Sequence, residues 1–319
     1  MDKHLVIGVG GFVGSHLARY LLNQGEDVVG TIRWNEDLSR LDGLDIKTIP
    51  MDLTDLSACI RCLQVCKPDY IYALAAQSYV SDSFVNPIAT LKVNVEGSVN
   101  LFEAIRITES DPVIYVASSS EVYGDVSRDE LPIKETNPFR PANPYAASKV
   151  SVDAYAYMYH RYFGLRTIRT RWFSHTGPGR TMLSAENSFA RQIALIEAGK
   201  QVPIIKAGNL NSIRTIADVR DAVRGIYLAV KHCVPGEVYN IGGNTTKSIG
   251  EVLEYLCSLS KWKDLIEVEI DPALLRKADV NLQIPSCEKF KAATGWEPEI
   301  SFQTTMADIL QFWRMKVGG

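Results

Sequence analysis

The chain has 319 residues, of which 46% are apolar, and its formal net charge is -3. This size and composition allow a large buried core in one domain or in two unequal domains. Acidic and basic residues nearly balance and no long basic run occurs, which argues against a nucleic-acid partner. No apolar run reaches the roughly 18–20 residues that span a bilayer, and the first residues do not form a signal peptide. We therefore expect a cytoplasmic protein that does not bind a membrane.

The first half of the chain alternates short apolar runs with amphipathic stretches. The apolar runs predict strands at 5–9, 27–32, 45–53, 69–76, 112–119 and 166–172. Between them, helical spacing predicts helices at 15–25, 54–66, 87–107 and 145–163. Apolar strands separated by helices are typical of a parallel sheet covered on both faces, so the predicted fold class is α/β.

The composition changes beyond residue 172. Residues 175–180 and 200–217 are rich in Gly, Pro and Asn, and 238–243 predicts a strand that returns to the sheet. We predict a nucleotide-binding domain over 1–172 with a returning segment near 218–243. A smaller, discontinuous C-terminal substrate-binding lobe is expected over 173–217 and 244–319, with the ligand cleft between the two.

Three of the six cysteines lie close together at Cys59, Cys62 and Cys66. Their spacing places them on one face of a helix, and no histidine or further cysteine pair lies near them. The sequence therefore predicts buried thiols and no metal site.

A glycine-rich turn follows the first predicted strand. Gly8, Gly11 and Gly14 are spaced three apart, with Phe12 and Val13 between the last two. Small residues allow the backbone to approach a pyrophosphate, and a helix N-terminus favours its negative charge. The turn predicts nucleotide binding, and a tight turn without a ligand is the alternative.

The end of the second strand bears on the choice of dinucleotide. An acid at this position binds the ribose 2′-hydroxyl of NAD. Here the strand ends before Arg33, and the first acids are Glu36 and Asp37. A guanidinium can bind a 2′-phosphate, so NADP is the expected cofactor and NAD stays possible.

Residues after the third and fourth strands are expected to line the same cofactor site. Asp52 and Leu53 follow the third strand and would face the adenine end. Leu74, Ala75 and Ala76 close the fourth strand. In α/β sheets, ligands bind outside the carboxyl ends of the strands, where these residues fall.

Tyr145 and Lys149 lie four residues apart in the sequence PYAASK. On a helix they share one face. An ammonium group near a phenol favours the phenolate, so Lys149 is expected to lower the pKa of Tyr145. A tyrosine with such a pKa can transfer a proton to or from a substrate hydroxyl.

Together these motifs resemble the extended short-chain dehydrogenase/reductase family. The resemblance rests on the glycine loop at 8–14, SSSEVYG at 118–124 and YAASK at 145–149, and it covers nearly the whole chain. Within the family, the sequence is most similar to the nucleotide-sugar branch of GDP-mannose 4,6-dehydratases and GDP-4-keto-6-deoxymannose reductases. The resemblance implies a Rossmann-type doubly wound parallel sheet that binds NAD(P), and a homodimer or homotetramer built on helices near 87–107 and 145–163.

The resemblance also assigns catalytic roles. It places Ser119 beside Tyr145 and Lys149 at the sugar 4-oxygen, and Glu121 where 4,6-dehydratases carry the base that removes the C5 proton. A GDP-mannose 4,6-dehydratase is therefore the first expectation. An NADPH-dependent 4-ketoreductase is the alternative, and another nucleotide-sugar epimerase follows. A cofactor-bound protein without activity is disfavoured by the intact set of Ser119, Tyr145 and Lys149.

Further residues are implied as contacts of a GDP-sugar substrate. Relatives hold the substrate diphosphate with arginines at the positions of Arg214 and Arg276, and a guanidinium fork suits that task. The other implied substrate contacts are Gln77, Ser78, Ser120, Ser174 and Asn187. Ser174 stands where relatives usually have asparagine, which bears on sugar specificity more than on the fold.

Overall fold

The computed structural model describes residues 2–275 and 280–318. Its strands are β1 (Lys3–Ile7), β2 (Asp27–Ile32), β3 (Lys47–Pro50), β4 (Tyr70–Ala73), β5 (Val113–Ala117), β6 (Arg166–Trp172), β7 (His175–Thr176), β8 (Ile204–Ala207), β9 (Ile213–Asp218), β10 (Val238–Ile241), β11 (Thr245–Ser248), β12 (Glu267–Ile270) and β13 (Leu282–Gln283).

The helices connect and cover these strands. They are α1 (Phe12–Asn23), α2 (Leu56–Cys66), α3 (Val80–Val85), α4 (Pro87–Leu91), α5 (Gly97–Ile107), α6 (Pro144–Phe163), α7 (Ala185–Glu197), α8 (Val219–His232), α9 (Ile249–Ser258), α10 (Glu288–Thr294) and α11 (Phe302–Gly318).

A seven-stranded sheet with the order β10-β6-β5-β4-β1-β2-β3 forms the centre of the molecule. All neighbouring strands in it pair in parallel. Apolar side chains of α1 and α8 cover one face, and those of α2, α5 and α6 cover the other. The predicted α/β fold is confirmed, and β10 returns to the sheet beside β6 as expected.

Two helices differ from the sequence-based expectation. The predicted helix 87–107 has the expected extent, but a π-helical segment, Lys92–Glu96, separates α4 from α5. Helix α8 was not predicted, although Val219, Ala222, Val223 and Ile226 repeat with helical spacing and are buried. The prediction of buried thiols is correct, since all three cysteines of α2 face the core.

A smaller lobe packs beside the sheet. Strand β9 pairs with β11, β13 and β7, while β8 and β12 form a separate pair. Helices α7, α9 and α11 enclose a third apolar cluster. Phe290 and Trp296, from the predicted substrate-binding segment 244–319, pack against the large sheet instead. Among the described residues, every helix is too short or too polar to cross a membrane.

A buried ion network fixes α6 to the large sheet. Asp153 of α6 accepts hydrogen bonds from Arg169 Nη1 at 2.8 Å and from Arg171 Nε at 2.8 Å, both on β6. Arg171 also donates to the hydroxyl of Tyr123, within the SSSEVYG motif, at 2.8 Å. Because all three charged groups are largely buried, each depends on the others for its stability.

We expect Asp153→Ala to lower the free energy of unfolding by about 3–5 kcal/mol, because two buried guanidinium groups lose their carboxylate. Urea denaturation measures this change. The matched control is Asp111→Ala, which breaks the exposed ion pair with Arg166 at 3.8 Å and should change stability by less than about 0.5 kcal/mol. Equal losses in the two variants would contradict the prediction.

Candidate active site

The glycine loop is closed so tightly that side chains are excluded. Gly8 has a φ of +83°, and a Cβ on Gly14 would lie 2.3 Å from the Gly8 carbonyl oxygen. The Gly11 amide donates to that same oxygen at 3.1 Å. Helix α1 then begins at Phe12 without a side-chain cap. The loop and the open amides of the first turn, which includes Val13, fit a pyrophosphate.

The loop after β2 brings an acid back over the glycines. Arg33 is exposed, and its backbone amide donates to Glu36 Oε2 at 2.9 Å. A Cβ on Gly10 would lie 2.8 Å from Glu36 Oε1, so this carboxylate rests against the glycine loop. The sequence places Glu36 only beyond the strand, because the chain reversal that returns it to the glycine loop is not visible in the spacing.

The predicted cofactor residues after β3 and β4 meet beside Lys149. Leu53, Ala75, Ala76 and Lys149 line one small cavity. Ala75 lies against Gly8, where an added Cβ would be 3.0 Å away. The neighbouring Leu74 amide donates to Ile7 O at 3.2 Å, while Asp52 is exposed and accepts from the Thr54 amide at 2.8 Å.

The start of α6 carries the tyrosine and the lysine. Asn143 caps this helix by accepting from the Ala146 amide at 2.8 Å, and Pro144 occupies the first turn. The Lys149 ammonium donates to Ala117 O at the end of β5, 2.7 Å away. Its Nζ lies 5.9 Å from the centroid of the Tyr145 ring.

Burial has the largest effect on the pKa values of Tyr145 and Lys149. It lowers the pKa of Lys149 to about 8 and raises that of Tyr145 to about 12. A hydrogen bond from Ser119 and the charge of Arg180 act in the opposite direction on the phenol, while Glu121 raises its pKa further. The pKa of Tyr145 is therefore raised and not lowered as the sequence predicts, because burial outweighs the groups that favour the phenolate.

Ser119, Ser120 and Glu121, in the turn that follows β5, point their side chains in different directions. Ser119 caps the turn Ser120–Tyr123 and accepts from the Glu121 amide at 3.2 Å. Glu121 is half-buried, and its Oε2 accepts from Asn143 Nδ2 at 3.0 Å. Ser120 turns away and its hydroxyl donates to Gln283 Oε1. Ser119 and Glu121 thus face the start of α6, and Ser120 faces the smaller lobe.

Two residues that the sequence does not single out, Asn94 and Arg180, lie at the candidate site. Asn94, in the π-helical segment, accepts from the Gln77 amide at 2.8 Å and donates to Ser148 of α6 at 2.9 Å. Arg180 lies near enough to Tyr145 to lower its pKa. Neither forms a short motif with the catalytic residues, so only the folded chain brings them together.

The implied substrate residues are distributed over the cleft and the lobe. Arg214 lies on β9, half-buried, and Ser174 precedes β7 with its carbonyl accepting from Ala217 at 2.9 Å. Gln77 donates to Tyr79 O at 3.1 Å, and Ser78 is exposed. Arg276 lies outside the described residues.

Asn187 occupies the interior of the smaller lobe. Its side chain is fully buried, donates to Thr176 at 3.3 Å and Ser184 at 3.2 Å, and accepts from Trp313 Nε1 at 3.0 Å. A contact with substrate would require this network to open, so the implied role of Asn187 stays a prediction.

A second cluster of titratable groups lies at the amino ends of β1 and β2, opposite to the end that carries the glycine loop. Ligand atoms of Asp2, His4 and Glu26 lie within 4.8 Å of one another. The Lys231 ammonium is 2.7 Å from Asp2 Oδ2 and 3.7 Å from Glu26 Oε1. Because the lysine already supplies the positive charge, this cluster is an ion-pair network.

Similarity to known proteins shows which family the chain belongs to. The family model described as GDP-mannose 4,6 dehydratase matches residues 5–309. The chain belongs to this family. The resemblance to the nucleotide-sugar branch of extended short-chain dehydrogenases is therefore confirmed.

Individual relatives carry two different names. The chain is 32% identical to a GDP-6-deoxy-D-mannose reductase from Pseudomonas aeruginosa, over 99% of this chain and 98% of the relative. It is also 32% identical to a GDP-mannose 4,6-dehydratase from Yersinia enterocolitica, covering 97% and 93% of the two chains.

A solved structure supports the fold. The structure of RMD from Pseudomonas aeruginosa complexed with NADPH superposes with a TM-score of 0.85 at 29% identity, over 99% of this chain and 100% of that one. The Rossmann-type architecture is thus shown both by the sheet order and by this neighbour.

We expect Lys149→Met to lower turnover at least about 100-fold and to raise the thermal midpoint at pH 7. Burial lowers the lysine pKa from 10.5 to about 8, so below pH 8 the folded protein carries a buried ammonium that the unfolded chain keeps in water. This cost disappears as the pH rises through about 8 toward 10.5. The difference in midpoint between variant and wild type should therefore narrow over that interval.

Thermal unfolding of both proteins from pH 6.5 to 10 measures this difference. The matched control is Lys263→Met, which removes an exposed ammonium. Its midpoint should differ from that of the wild type by the same small amount at every pH. A pH-independent difference for Lys149→Met would show that the buried ammonium does not limit stability.

Proposed function

We propose that the chain is a GDP-mannose 4,6-dehydratase, or acts on a closely related GDP-sugar. The observation that supports this most directly is the position of Glu121. Its carboxylate is half-buried, bonded to the Asn143 cap of α6, and close enough to Tyr145 to act on the pKa of the phenol. A sugar whose 4-hydroxyl meets Tyr145 and Ser119 would present its C5 proton within reach of such a base.

The chain's own residues would divide the proton transfers among them. A bound nicotinamide cofactor supplies the hydride acceptor and donor. Tyr145, assisted by Ser119, would take the proton of the 4-hydroxyl as C4 is oxidised. The resulting 4-ketone acidifies the C5 proton, which Glu121 would remove and then pass to the departing 6-hydroxyl. The hydride taken from C4 would return to C6, and the proton taken from the 4-hydroxyl would be delivered to C5, so the net change is the loss of one water and the reaction is a lyase reaction.

Charges around Tyr145 would prepare it for this task. Burial favours the neutral phenol, whereas Arg180 and Ser119 stabilise the phenolate. The Lys149 ammonium lies 5.9 Å from the centroid of the Tyr145 ring, and its pKa of about 8 keeps it largely charged at pH 7. These opposing influences suit a group that must both accept and return a proton.

For the cofactor we propose NADP. The support is Arg33, which is exposed at the end of β2 and could bind a 2′-phosphate. The solved reductase structure was obtained with NADPH. Glu36 over the glycine loop favours a ribose 2′-hydroxyl instead, so NAD is the alternative.

The second candidate is an NADPH-dependent GDP-4-keto-6-deoxymannose 4-reductase. It is favoured by the relative named as a reductase, whose length the chain covers to 98%. Such a reaction needs Ser119, Tyr145 and Lys149 but no C5 base, so Glu121 would then only help to position the sugar. The two candidates therefore differ in the role of one carboxylate.

We also propose a cytoplasmic homodimer. The six cysteines are free thiols, as in a reducing compartment. Helices α4 and α6 expose Ile88, Leu91, Tyr155 and Tyr162, and helices in these regions form the dimer bundle that the family resemblance implies. An exposed apolar surface of this kind is typical of a subunit interface. A homotetramer is the alternative.

Incubation of the purified protein with GDP-mannose and catalytic NADP⁺, without a reductant, tests the proposed reaction. We expect mass spectrometry to detect a product that has lost one water, and parallel samples with NAD⁺ compare the two cofactors. Glu121→Gln should lower the rate of water loss at least about 100-fold, because an amide cannot remove the C5 proton.

The matched control is Glu130→Gln, which neutralises a nearby loop acid bonded to Arg140 and should retain the wild-type rate. If GDP-mannose is unchanged but NADPH is consumed with a GDP-4-keto-6-deoxy sugar, the protein is the reductase. Water loss at an undiminished rate in Glu121→Gln would remove Glu121 from the mechanism.

We expect Leu91→Glu to convert the dimer to a monomer, because it places a charge in the apolar face of α4. Size-exclusion chromatography with light scattering measures the mass. Leu265→Glu is the control, since Leu265 is exposed to a similar degree, 62% against 56%, but lies in the smaller lobe. A wild-type protein with the mass of one chain would refute the dimer.

A further inference from the structure

A short segment from the C-terminal part of the chain joins the smaller lobe to the catalytic turn. Strand β13 (Leu282–Gln283) pairs with β9, where Gln283 stands in register with Arg214. Directly after it, Ile284 O accepts from the Ile133 amide and the Ser286 amide donates to Ile133 O, both at 2.8 Å. The same segment therefore contacts the strand that carries Arg214 and the loop that follows the SSSEVYG motif.

The side chain of Gln283 completes this connection. Its Oε1 accepts from the Ser120 hydroxyl, and both side chains are buried. The Gln283 amide nitrogen is also buried and has no hydrogen-bond partner within residues 2–275 and 280–318. A buried amide with one bonded and one unbonded end is unfavourable for stability alone, so its position calls for another reason.

We propose that Gln283 is a positioning residue, which holds the catalytic turn in its active arrangement from the substrate-binding lobe through Ser120. Ser120 lies between Ser119 and Glu121, so its side-chain bond to Gln283 restrains the turn that aims both neighbours at the start of α6. The inference rests on the proposed function, because it concerns the residues assigned to that reaction.

The geometry predicts an effect on turnover rather than on substrate affinity. Gln283 is buried and bonds the turn through Ser120, and a small displacement of reacting groups lowers the rate strongly. The bond to Ser120 is a single pairwise link, so loss of either partner should have the same consequence. Removal of both should then add little to removal of one.

A double-mutant cycle with Gln283→Met, Ser120→Ala and the double variant tests the proposal. Each single variant should lower kcat about tenfold and change KM for the GDP-sugar by less than about twofold, and the double variant should fall no further. Hydrogen exchange of the peptide covering 118–124 should be faster in Gln283→Met, in the protein with NADP⁺ and without any sugar nucleotide.

Thr305→Val is the matched control. It removes a buried hydrogen bond of 2.8 Å to Asp218 in the smaller lobe and should lower the thermal midpoint without changing kcat or exchange in 118–124. Unchanged kcat and unchanged hydrogen exchange in Gln283→Met would overturn the proposal. A raised KM at constant kcat would also overturn it, because Gln283 would then be a substrate contact. A wild-type protein that converts no sugar nucleotide would refute the proposed function, while the exchange measurement still decides whether Gln283 holds the turn.

Discussion

The active site depends on the hydrogen bond from the Lys149 ammonium to the carbonyl of Ala117. This bond joins α6 to the end of β5 and brings Tyr145 beside the turn that carries Ser119 and Glu121. It is also costly, because burial disfavours the ammonium and lowers the lysine pKa to about 8. The protein therefore keeps a charge where it reduces stability, as functional sites commonly do.

The surrounding structure holds α6 against this cost. Asp153, about one turn beyond Lys149, binds two buried arginines of β6, and Asn94 bonds Ser148 from the π-helical segment. Asn143 caps the same helix and binds Glu121. Three polar contacts thus fix the helix that carries Tyr145 to the sheet, to the loop after β4 and to the catalytic turn.

Most of the fold could be predicted because its signals are local. The strands of the large sheet and their connecting helices are apolar runs and amphipathic stretches of ordinary length, and the glycine loop stands directly after the first strand. Helix α8 is a further local signal that was missed, since its apolar residues repeat with helical spacing. The directions in which Ser120 and Glu36 point were also missed, since both follow from chain reversals that spacing does not encode.

The sequence by itself determined the fold class and the glycine turn, because residue type and spacing within one strand or helix are enough to define them, while the catalytic roles of Ser119, Glu121, Tyr145 and Lys149 stay predictions that the family resemblance supplies. Only the tertiary structure decided the pKa of Tyr145, which burial raises while Arg180 and Ser119 favour the phenolate. It alone brought Asn94 and Gln283 to the catalytic elements. Electrostatics and hydrogen bonding depend on distances between segments far apart in the chain, and those distances exist only after folding.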